Sequence, residues 1–240
     1  MIARNLAKMN DKIATLRAKH PSVDFKAVVA DFSELTTMQE YHELIKASKL
    51  HEIDIGLVFL NAGCVAIGPF DLLSDEQVES SVRVNALHPV YLAKAFLPLL
   101  TQRARPTRSA MVVTSSGLAG MPMPSVQMYS STKACVSNFF QGLAYEVEAM
   151  GVDVMAWEAG STDTAFVADA PKSKFQVSTQ VTVAGCLKDL GREKLTSGTF
   201  MHDFQSIGVP FFPLGLLGGK IADQQRQEFI KKSNEFRKVK

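Results

Sequence analysis

The chain has 240 residues, of which 46% are hydrophobic and 21% charged, a composition that suits one globular α/β domain with a sizeable core. Its 26 basic and 24 acidic residues leave a formal net charge of +2 without a basic stripe, which argues against a nucleic-acid partner. The three cysteines are odd in number and the five histidines lack ligand spacing, so we predict reduced, structural cysteines and no metal site.

The first quarter of the chain predicts a helix, a strand and a second helix. Apolar residues recur at helical spacing over 6–19 with basic residues between them, a pattern too polar for a signal peptide or a membrane span. Residues 25–30 form a short β-rich run that ends at Asp31, and helical periodicity resumes over 33–49. The candidate N-caps of that second helix are Ser33 and Thr36.

Three later apolar runs predict strands of a parallel sheet. They cover 55–60, 110–114 and 152–157, and their continuous apolar character is typical of strands buried on both faces. Helical segments separate them, so the order βαβαβαβ predicts a doubly wound, Rossmann-like α/β fold in a single domain over 1–240. In such a fold ligands bind at the carboxyl ends of the strands.

The helices between these strands have recognisable boundaries. A long helix is predicted over 74–103, opened by a capping box from Ser74 to Gln77 and kinked or broken at Pro89 and Pro98. Another follows over 129–150 and ends before Gly151. Further helical stretches are expected around 181–190 and 222–236.

Tyr129 and Lys133 lie four residues apart and therefore share one face of a predicted helix. An ammonium group beside a phenol favours the phenolate, so we expect Lys133 to lower the pKa of Tyr129 and to make it an acid or base at neutral pH. The alternative is an exposed helical pair without a chemical role, and only the surrounding residues distinguish the two.

The surrounding motifs resemble the short-chain dehydrogenase/reductase family over residues 1 to about 164. Thr114-Ser115-Ser116-Gly117 stands at a strand end, and thirteen positions separate Ser116 from Tyr129. The other matching motifs are Asp31, Asn61-Ala62-Gly63, Asn85, and Ala159-Gly160 with Thr164. Residues 165–240 are then expected to form the substrate-side and C-terminal segment of the same domain.

The resemblance implies a catalytic set of four residues. Tyr129 would exchange a proton with the substrate oxygen, and Ser116 would hydrogen-bond that oxygen. Lys133 would lower the pKa of Tyr129 and hold the nicotinamide ribose, while Asn85 would position a water in the proton relay. Taken singly, Ser116 is equally well a turn or cap residue, and Asn85 a polar residue inside a helix.

The resemblance also implies a nicotinamide cofactor, with NADP(H) favoured over NAD(H). Arg4 lies where NADP-preferring relatives place a basic group for the 2′-phosphate, and no acidic residue stands nearby to bind a ribose diol. Asp31 would contact the adenine. The other expected cofactor contacts are Asn61, Ala62, Gly63, Tyr129, Lys133, Gly160 and Thr164. The alternatives are a solvated Arg4 and a simple turn residue at Asp31.

Within the family, the stretch 115–133 resembles the branch of very-long-chain 3-oxoacyl-CoA reductases and 17β-hydroxysteroid dehydrogenases. This implies a ketone or alcohol substrate on an apolar acyl-CoA or steroid-like skeleton, which the apolar run 207–217 would suit, as it would a membrane surface. Residues 237–240 resemble a dilysine-type endoplasmic-reticulum retrieval signal, so the expected location is that membrane surface or the cytoplasm.

Relatives commonly pair through the two helices that hold Asn85 and Tyr129 here, which implies a homodimer. His88 and Tyr91 are candidate contacts with the second copy, and packing inside the subunit is the alternative. Cys64 and Cys135 stand near the site and are expected to be small core residues rather than nucleophiles.

The chain departs from the family pattern at its start. The glycine-rich turn that binds the pyrophosphate is missing, together with the family's first strand, first helix and most of its second strand. Ala159 also replaces the usual proline before Gly160. Three explanations fit: a fragment of a longer reductase, a second chain that covers the gap, or a truncated protein that has lost cofactor binding. The last would be a non-catalytic structural or interaction subunit of a larger assembly.

Overall fold

A computed structural model describes residues 1–103, 106–164, 176–208 and 214–238. The chain contains two compact units, residues 1–54 and 55–240, and every strand pair is parallel. The α/β class with a parallel sheet flanked by helices is therefore confirmed, whereas the single domain over 1–240 stays a prediction. Within the described ranges, no helix combines the length and the apolar character needed to cross a membrane.

The unit of residues 1–54 has two short strands and two helices. They are β1 (Ile2–Ala3), α1 (Leu6–Lys19), β2 (Val28–Val29) and α2 (Met38–Ala47). The strand predicted over 25–30 is shorter because only two residues pair with β1. The predicted caps of α2 were wrong: Thr37 caps the helix, since its Oγ1 accepts a hydrogen bond from Glu40 N and its backbone N–H donates to the Glu40 carboxylate in a capping box.

The unit of residues 55–240 is built on a four-stranded parallel sheet. Its strands, in spatial order, are β3 (Leu57–Leu60), β4 (Ser109–Thr114), β5 (Val152–Trp157) and β8 (Leu195–Thr196). A second small sheet pairs β6 (Thr162–Asp163) with β7 (Val177–Ser178). The three predicted strands are thus confirmed, and parallel pairing aligns their carboxyl ends along one edge.

The expectation that β3 is buried on both faces was wrong. Its side chains alternate: Val58 and Leu60 are buried, whereas Leu57 and Phe59 are 42% and 47% exposed. The reason is that β3 lies at the edge of this four-stranded sheet and, among the described strands, pairs with β4 alone. The continuous apolar run in the sequence could not distinguish an edge strand from a central one.

Helices follow the strands, and some of their boundaries differ from the prediction. Described helices of this unit are α3 (Asp75–Val82), α4 (His88–Thr101), α5 (Gln127–Val147), α6 (Thr179–Asp189), α7 (Phe200–Gly208) and α8 (Leu214–Lys238). The capping box at Ser74 is confirmed. Gly151 ends the α5 region in the left-handed conformation, with φ of +82°, which glycine adopts without strain.

The predicted kinks at Pro89 and Pro98 were misplaced, because the irregularity is a π-helical turn at Arg83–Leu87. Pro89 lies in the first turn of α4, where a missing N–H is tolerated, and Pro98 lies within that helix. Because Pro89 cannot donate, the carbonyl of Asn85 has no i+4 partner, which favours a local departure from the regular helix. Such π turns occur often at functional sites.

Candidate active site

The loops that follow β3, β4 and β5 are joined side by side by hydrogen bonds. Thr114 Oγ1 donates to Asn61 Oδ1 at 2.8 Å, which links the ends of β4 and β3. Ser115 N donates to Trp157 O at 2.7 Å and Gly117 N to Ala159 O at 3.0 Å, which links the ends of β4 and β5. The loops that carry the predicted site residues of this unit therefore begin at one edge of the sheet and are joined there by hydrogen bonds.

Ser116 and Tyr129 meet at this edge. Ser116 is 7% exposed, its Oγ accepts a hydrogen bond from Leu118 N at 3.2 Å, and its hydroxyl is hydrogen-bonded to that of Tyr129. Burial raises the pKa of Tyr129, and the bond to Ser116 opposes that rise without cancelling it. The expected lowering of the Tyr129 pKa is thus absent, and the phenol keeps its proton at neutral pH.

Lys133 lies on α5 one turn after Tyr129 and is only 4% exposed. Its Nζ donates to Thr114 O at 2.6 Å and stands 5.7 Å from the centroid of the Tyr129 ring. Ser115 Oγ donates to the carbonyl of Lys133 at 2.8 Å, which fastens the helix to the end of β4. Burial lowers the pKa of Lys133 to about 8, because the charged form is poorly solvated there.

Asn85 lies in the π-helical turn and is 1% exposed. Its Oδ1 accepts from Cys64 N at 2.9 Å and its Nδ2 donates to Cys64 O at 2.8 Å, so one side chain satisfies both backbone groups. A Cβ built on Gly63 would lie 3.4 Å from Asn85 Oδ1 and 3.6 Å from Lys133 Nζ. The four predicted catalytic residues are thus brought together around the turn at Gly63.

His88 belongs to the same buried cluster, a position that the sequence analysis missed. It is 1% exposed. Its pKa is lowered to about 3, mainly by burial and to a smaller extent by the charge of Lys133. The imidazole is therefore neutral at physiological pH. So buried a side chain cannot meet a second copy, and the alternative of internal packing is correct for His88. Its spacing of three residues from Asn85 could have indicated a shared face.

The three cysteines are free thiols. Cys64 is half-buried, and its Sγ donates to Ser80 O at 3.7 Å. Cys186 is buried and its pKa is raised to about 11 by burial, as suits a core residue. Cys135 is exposed on α5, so the expectation of a core position was wrong for it.

Gly160 lies in the loop after β5 and is half-buried. Its N–H donates to His202 Nδ1 at 3.2 Å, and its carbonyl accepts from Thr162 Oγ1 at 3.1 Å. Thr164 is half-buried and ends a described range. Part of the apolar run 207–217, residues 209–213, lies outside the described residues, as do Val239 and Lys240 of the basic C-terminal motif.

Arg4 and Asp31 lie within the unit of residues 1–54 and approach each other. Arg4 Nη1 is 3.7 Å from Asp31 Oδ2, and the Arg4 side chain is 73% exposed. Asp31 Oδ1 accepts from the backbone N–H of Ser33 at 2.9 Å and from its hydroxyl at 2.7 Å. Burial acts to raise the pKa of Asp31, but these hydrogen bonds and the charge of Arg4 outweigh it and hold the pKa below its usual value.

Comparison with known protein families shows to which family the chain belongs. The family model described as short chain dehydrogenase matches residues 1–174. The chain belongs to the short-chain dehydrogenase family. This confirms the resemblance that the spaced motifs indicated, and it covers both the unit of residues 1–54 and the strands that carry the clustered residues.

Individual relatives are distant. The very-long-chain 3-oxoacyl-CoA reductase of Podospora anserina is 29% identical over 157 residues, which are 64% of this chain and 44% of that protein. The 17-beta-hydroxysteroid dehydrogenase type 3 of Danio rerio is 25% identical over 96% of this chain and 74% of its own length. A human protein named inactive hydroxysteroid dehydrogenase-like protein 1 is 26% identical over 89% of this chain and 64% of its own.

Solved structures share the fold. A 7beta-hydroxysteroid dehydrogenase superposes with a TM-score of 0.75 at 22% identity, over 87% of this chain and 79% of that one. A short-chain dehydrogenase from Sphingobium yanoikuyae, solved in complex with NADPH, gives a TM-score of 0.69 at 24% identity over 96% and 84%. At these identities the likeness establishes the fold alone.

Proposed function

We propose that the protein is an NADP(H)-dependent oxidoreductase that interconverts a ketone and a secondary alcohol. The observation that carries this proposal is the buried cluster in which Ser116 and Tyr129 are hydrogen-bonded beside Lys133 and Asn85. A chance arrangement of polar residues would rarely bury an ammonium and an amide beside a phenol, because each loses hydration.

The chemistry assigned to these side chains is general acid catalysis with oxygen polarisation. Tyr129 keeps its proton at neutral pH and donates it to the developing alkoxide when a ketone is reduced. Ser116 donates a hydrogen bond to the same oxygen. Lys133, with its pKa near 8, carries most of its charge at pH 7 and stabilises the phenolate that forms. A bound nicotinamide cofactor would supply the hydride.

Several features fit the nicotinamide-ribose end of such a cofactor. Thr114 O is the acceptor found for Lys133 among the described residues, so two of the three N–H groups on Nζ can reach ligand hydroxyls. Gly63 is exposed beside Lys133 and leaves its backbone open to a ligand. Asn85 holds that turn in place. We assign Ala62, Asn61, Gly160 and Thr164 to the same ligand as neighbours along the strand ends.

We assign NADP(H) rather than NAD(H) on the basis of Arg4. A 2′-phosphate calls for an exposed cation, and Arg4 is 73% exposed with only a 3.7 Å ion pair to Asp31. Asp31 remains our candidate for the adenine contact. The NADPH complex of the Sphingobium dehydrogenase, which shares the fold, agrees with a cofactor of this class.

We propose an apolar ketone substrate, either an acyl-CoA or a steroid-like molecule, because both kinds of name occur among the relatives. We also propose a homodimer through α4 and α5, since Phe139 on α5 is 39% exposed and a second copy could cover it. The proposed location is the endoplasmic-reticulum membrane surface or the cytoplasm.

A second candidate function is a non-catalytic subunit on the same scaffold. One observation favours it: a relative that is 26% identical to this chain is named inactive. Such a subunit would use its surface for protein contacts and leave the tyrosine and lysine unused.

Titration of the purified protein with NADPH separates the two candidates. An enzyme should quench or shift NADPH fluorescence with saturable binding, melt at a higher temperature with cofactor, and oxidise NADPH when given a hydrophobic ketone. NADH should bind more weakly. A protein that shows no response to millimolar NADPH in either binding assay is not the proposed oxidoreductase.

A further inference from the structure

The backbone loop that follows β5 is held from one side by the loop that carries Ser116. Gly117 N donates to Ala159 O at 3.0 Å, and a Cβ built on Gly117 would lie 3.9 Å from Gly160 Cα. Gly160 and its neighbours therefore run directly beside the serine of the proposed catalytic set. Any shift of this loop would change the edge of the site at which a nicotinamide ring is expected.

His202, from α7, holds the same loop from the other side. It is 2% exposed, its Nδ1 accepts from Gly160 N at 3.2 Å, and its Nε2 lies 3.2 Å from Ser161 O. A backbone N–H can only donate, so Nδ1 is unprotonated and Nε2–H donates to the carbonyl of Ser161. The imidazole is thus assigned as the neutral Nε2–H tautomer.

A neighbouring carbonyl agrees with this tautomer. Ser197 O lies 3.5 Å from His202 Nδ1 and could accept a hydrogen bond from it only if Nδ1 carried a proton. That carbonyl already accepts from Trp157 Nε1 at 3.2 Å. The Nε2–H tautomer therefore gives the N–H groups of Gly160, the Trp157 indole and the His202 imidazole one acceptor each.

Gly160 and His202 also fit as a steric pair. A Cβ built on Gly160 would lie 2.6 Å from His202 Cγ and 2.9 Å from Nε2, closer than side-chain atoms can approach. Position 160 therefore has to be glycine, because the imidazole ring of His202 lies where any other residue would place its Cβ. His202 is itself fixed, because its backbone N–H donates to Thr199 Oγ1 at 3.2 Å in the first turn of α7.

We propose that His202 is a positioning residue that clamps Gly160 and Ser161 against the Ser116 loop and so fixes the nicotinamide side of the site. The proposal rests on the proposed function for its ligand, but the clamp itself is a property of the protein alone. Loss of two hydrogen bonds should raise the population of displaced loop conformations about tenfold or more.

Hydrogen exchange of the cofactor-free protein tests the clamp directly. The variants are His202→Phe, which keeps a ring without hydrogen bonds, and His202→Asn, which keeps an acceptor for Gly160 N–H. The control is His42→Asn, since His42 is exposed on α2. Peptides spanning 158–164 should exchange about tenfold faster in His202→Phe, less so in His202→Asn, and at the wild-type rate in the control. Unchanged exchange in His202→Phe overturns the clamp.

A double-mutant cycle tests the steric pair independently. Gly160→Ala should lower the melting temperature strongly in the wild-type background, because the new methyl group meets the imidazole. In the His202→Ala background the same change should lower the melting temperature by less than half as much. An equal effect in both backgrounds means that the two residues are not coupled, and the proposal then fails.

Cofactor kinetics separate positioning from a merely structural role. His202→Phe should raise the KM and Kd for NADPH about tenfold while the KM for the ketone changes less than twofold, and His202→Asn should recover part of the loss. Wild-type NADPH affinity in His202→Phe overturns the positioning role. If the wild-type protein does not bind NADPH at all, the proposed function has failed, and exchange and the cycle still decide whether the clamp exists.

Discussion

Two groups of proposed site residues differ in how firmly the protein holds them. Asn85, Ser116 and Lys133 are at least nine-tenths buried and are held by hydrogen bonds to strand-end backbone or to Tyr129. Arg4 is largely exposed and meets Asp31 across 3.7 Å. The fold has therefore already oriented the first group, whereas the position of Arg4 depends on its ligand. Catalysis requires side chains that are already oriented, as in the first group. Binding of a phosphate tolerates an exposed cation that takes up its position only when the ligand is present.

Replacement of Tyr129 by phenylalanine should give the largest effect, because it removes the proposed proton donor, which is hydrogen-bonded to the buried Ser116. We expect kcat/KM for ketone reduction to fall at least 1,000-fold, within the usual range for a general acid, while NADPH still binds. Tyr145→Phe is the control, since Tyr145 is 72% exposed. Turnover that persists in Tyr129→Phe would remove this tyrosine from the mechanism.

Asn85→Ala should show that the fixed group depends on its hydrogen bonds. The variant leaves the N–H and carbonyl of Cys64 without their 2.9 and 2.8 Å partners. We expect a loss of about 3 kcal/mol in the free energy of unfolding and about 100-fold in kcat/KM, because the turn at Gly63 shifts. Urea unfolding and steady-state kinetics measure both, with the exposed Asn138→Ala as control. A variant with native stability would contradict this account.

His88 should make the stability of this unit sensitive to acid. Its pKa is about 3 in the folded protein against 6.5 when unfolded, so between these values only the unfolded chain takes up the proton. Stability is then complete above pH 6.5 and decreases as the pH falls toward 3, by about 2 kcal/mol between pH 6.5 and 5. Urea unfolding at several pH values should show this slope in the wild type and in His42→Gln, and a shallower one in His88→Gln.

Arg4→Gln should give the smallest effect on activity. It tests the exposed ion pair between Arg4 and Asp31. We expect NADPH affinity to fall about tenfold with NADH affinity unchanged, because only the 2′-phosphate distinguishes the two. The melting temperature should not change, since an exposed ion pair stabilises little. Arg17→Gln, on the exposed side of α1, is the control. Equal losses for both cofactors would show that Arg4 does not read the 2′-phosphate.

Much of the fold followed from local pattern. The strand 152–157 and the capping box at Ser74 match the structure because each depends on residues close in sequence. The exposed face of β3 did not follow, because only the spatial strand order makes it an edge. The π-helical turn was also missed, since proline position alone does not say which hydrogen bond of a helix is rearranged.

Motif spacing and strand-end position can be read from the order of residues, so the family, the alternation of strands and helices, and the candidate site residues were all predictable. The state of those residues depends on the folded arrangement around them. It places the half-buried Tyr129 beside the buried Lys133, where loss of hydration raises the pKa of the tyrosine and lowers that of the lysine to about 8. It also brings His88 and His202 into contact with the site region, although 42 residues separate Gly160 from the imidazole that holds it. Burial and desolvation arise from neighbours that are distant in sequence, and no local pattern records them.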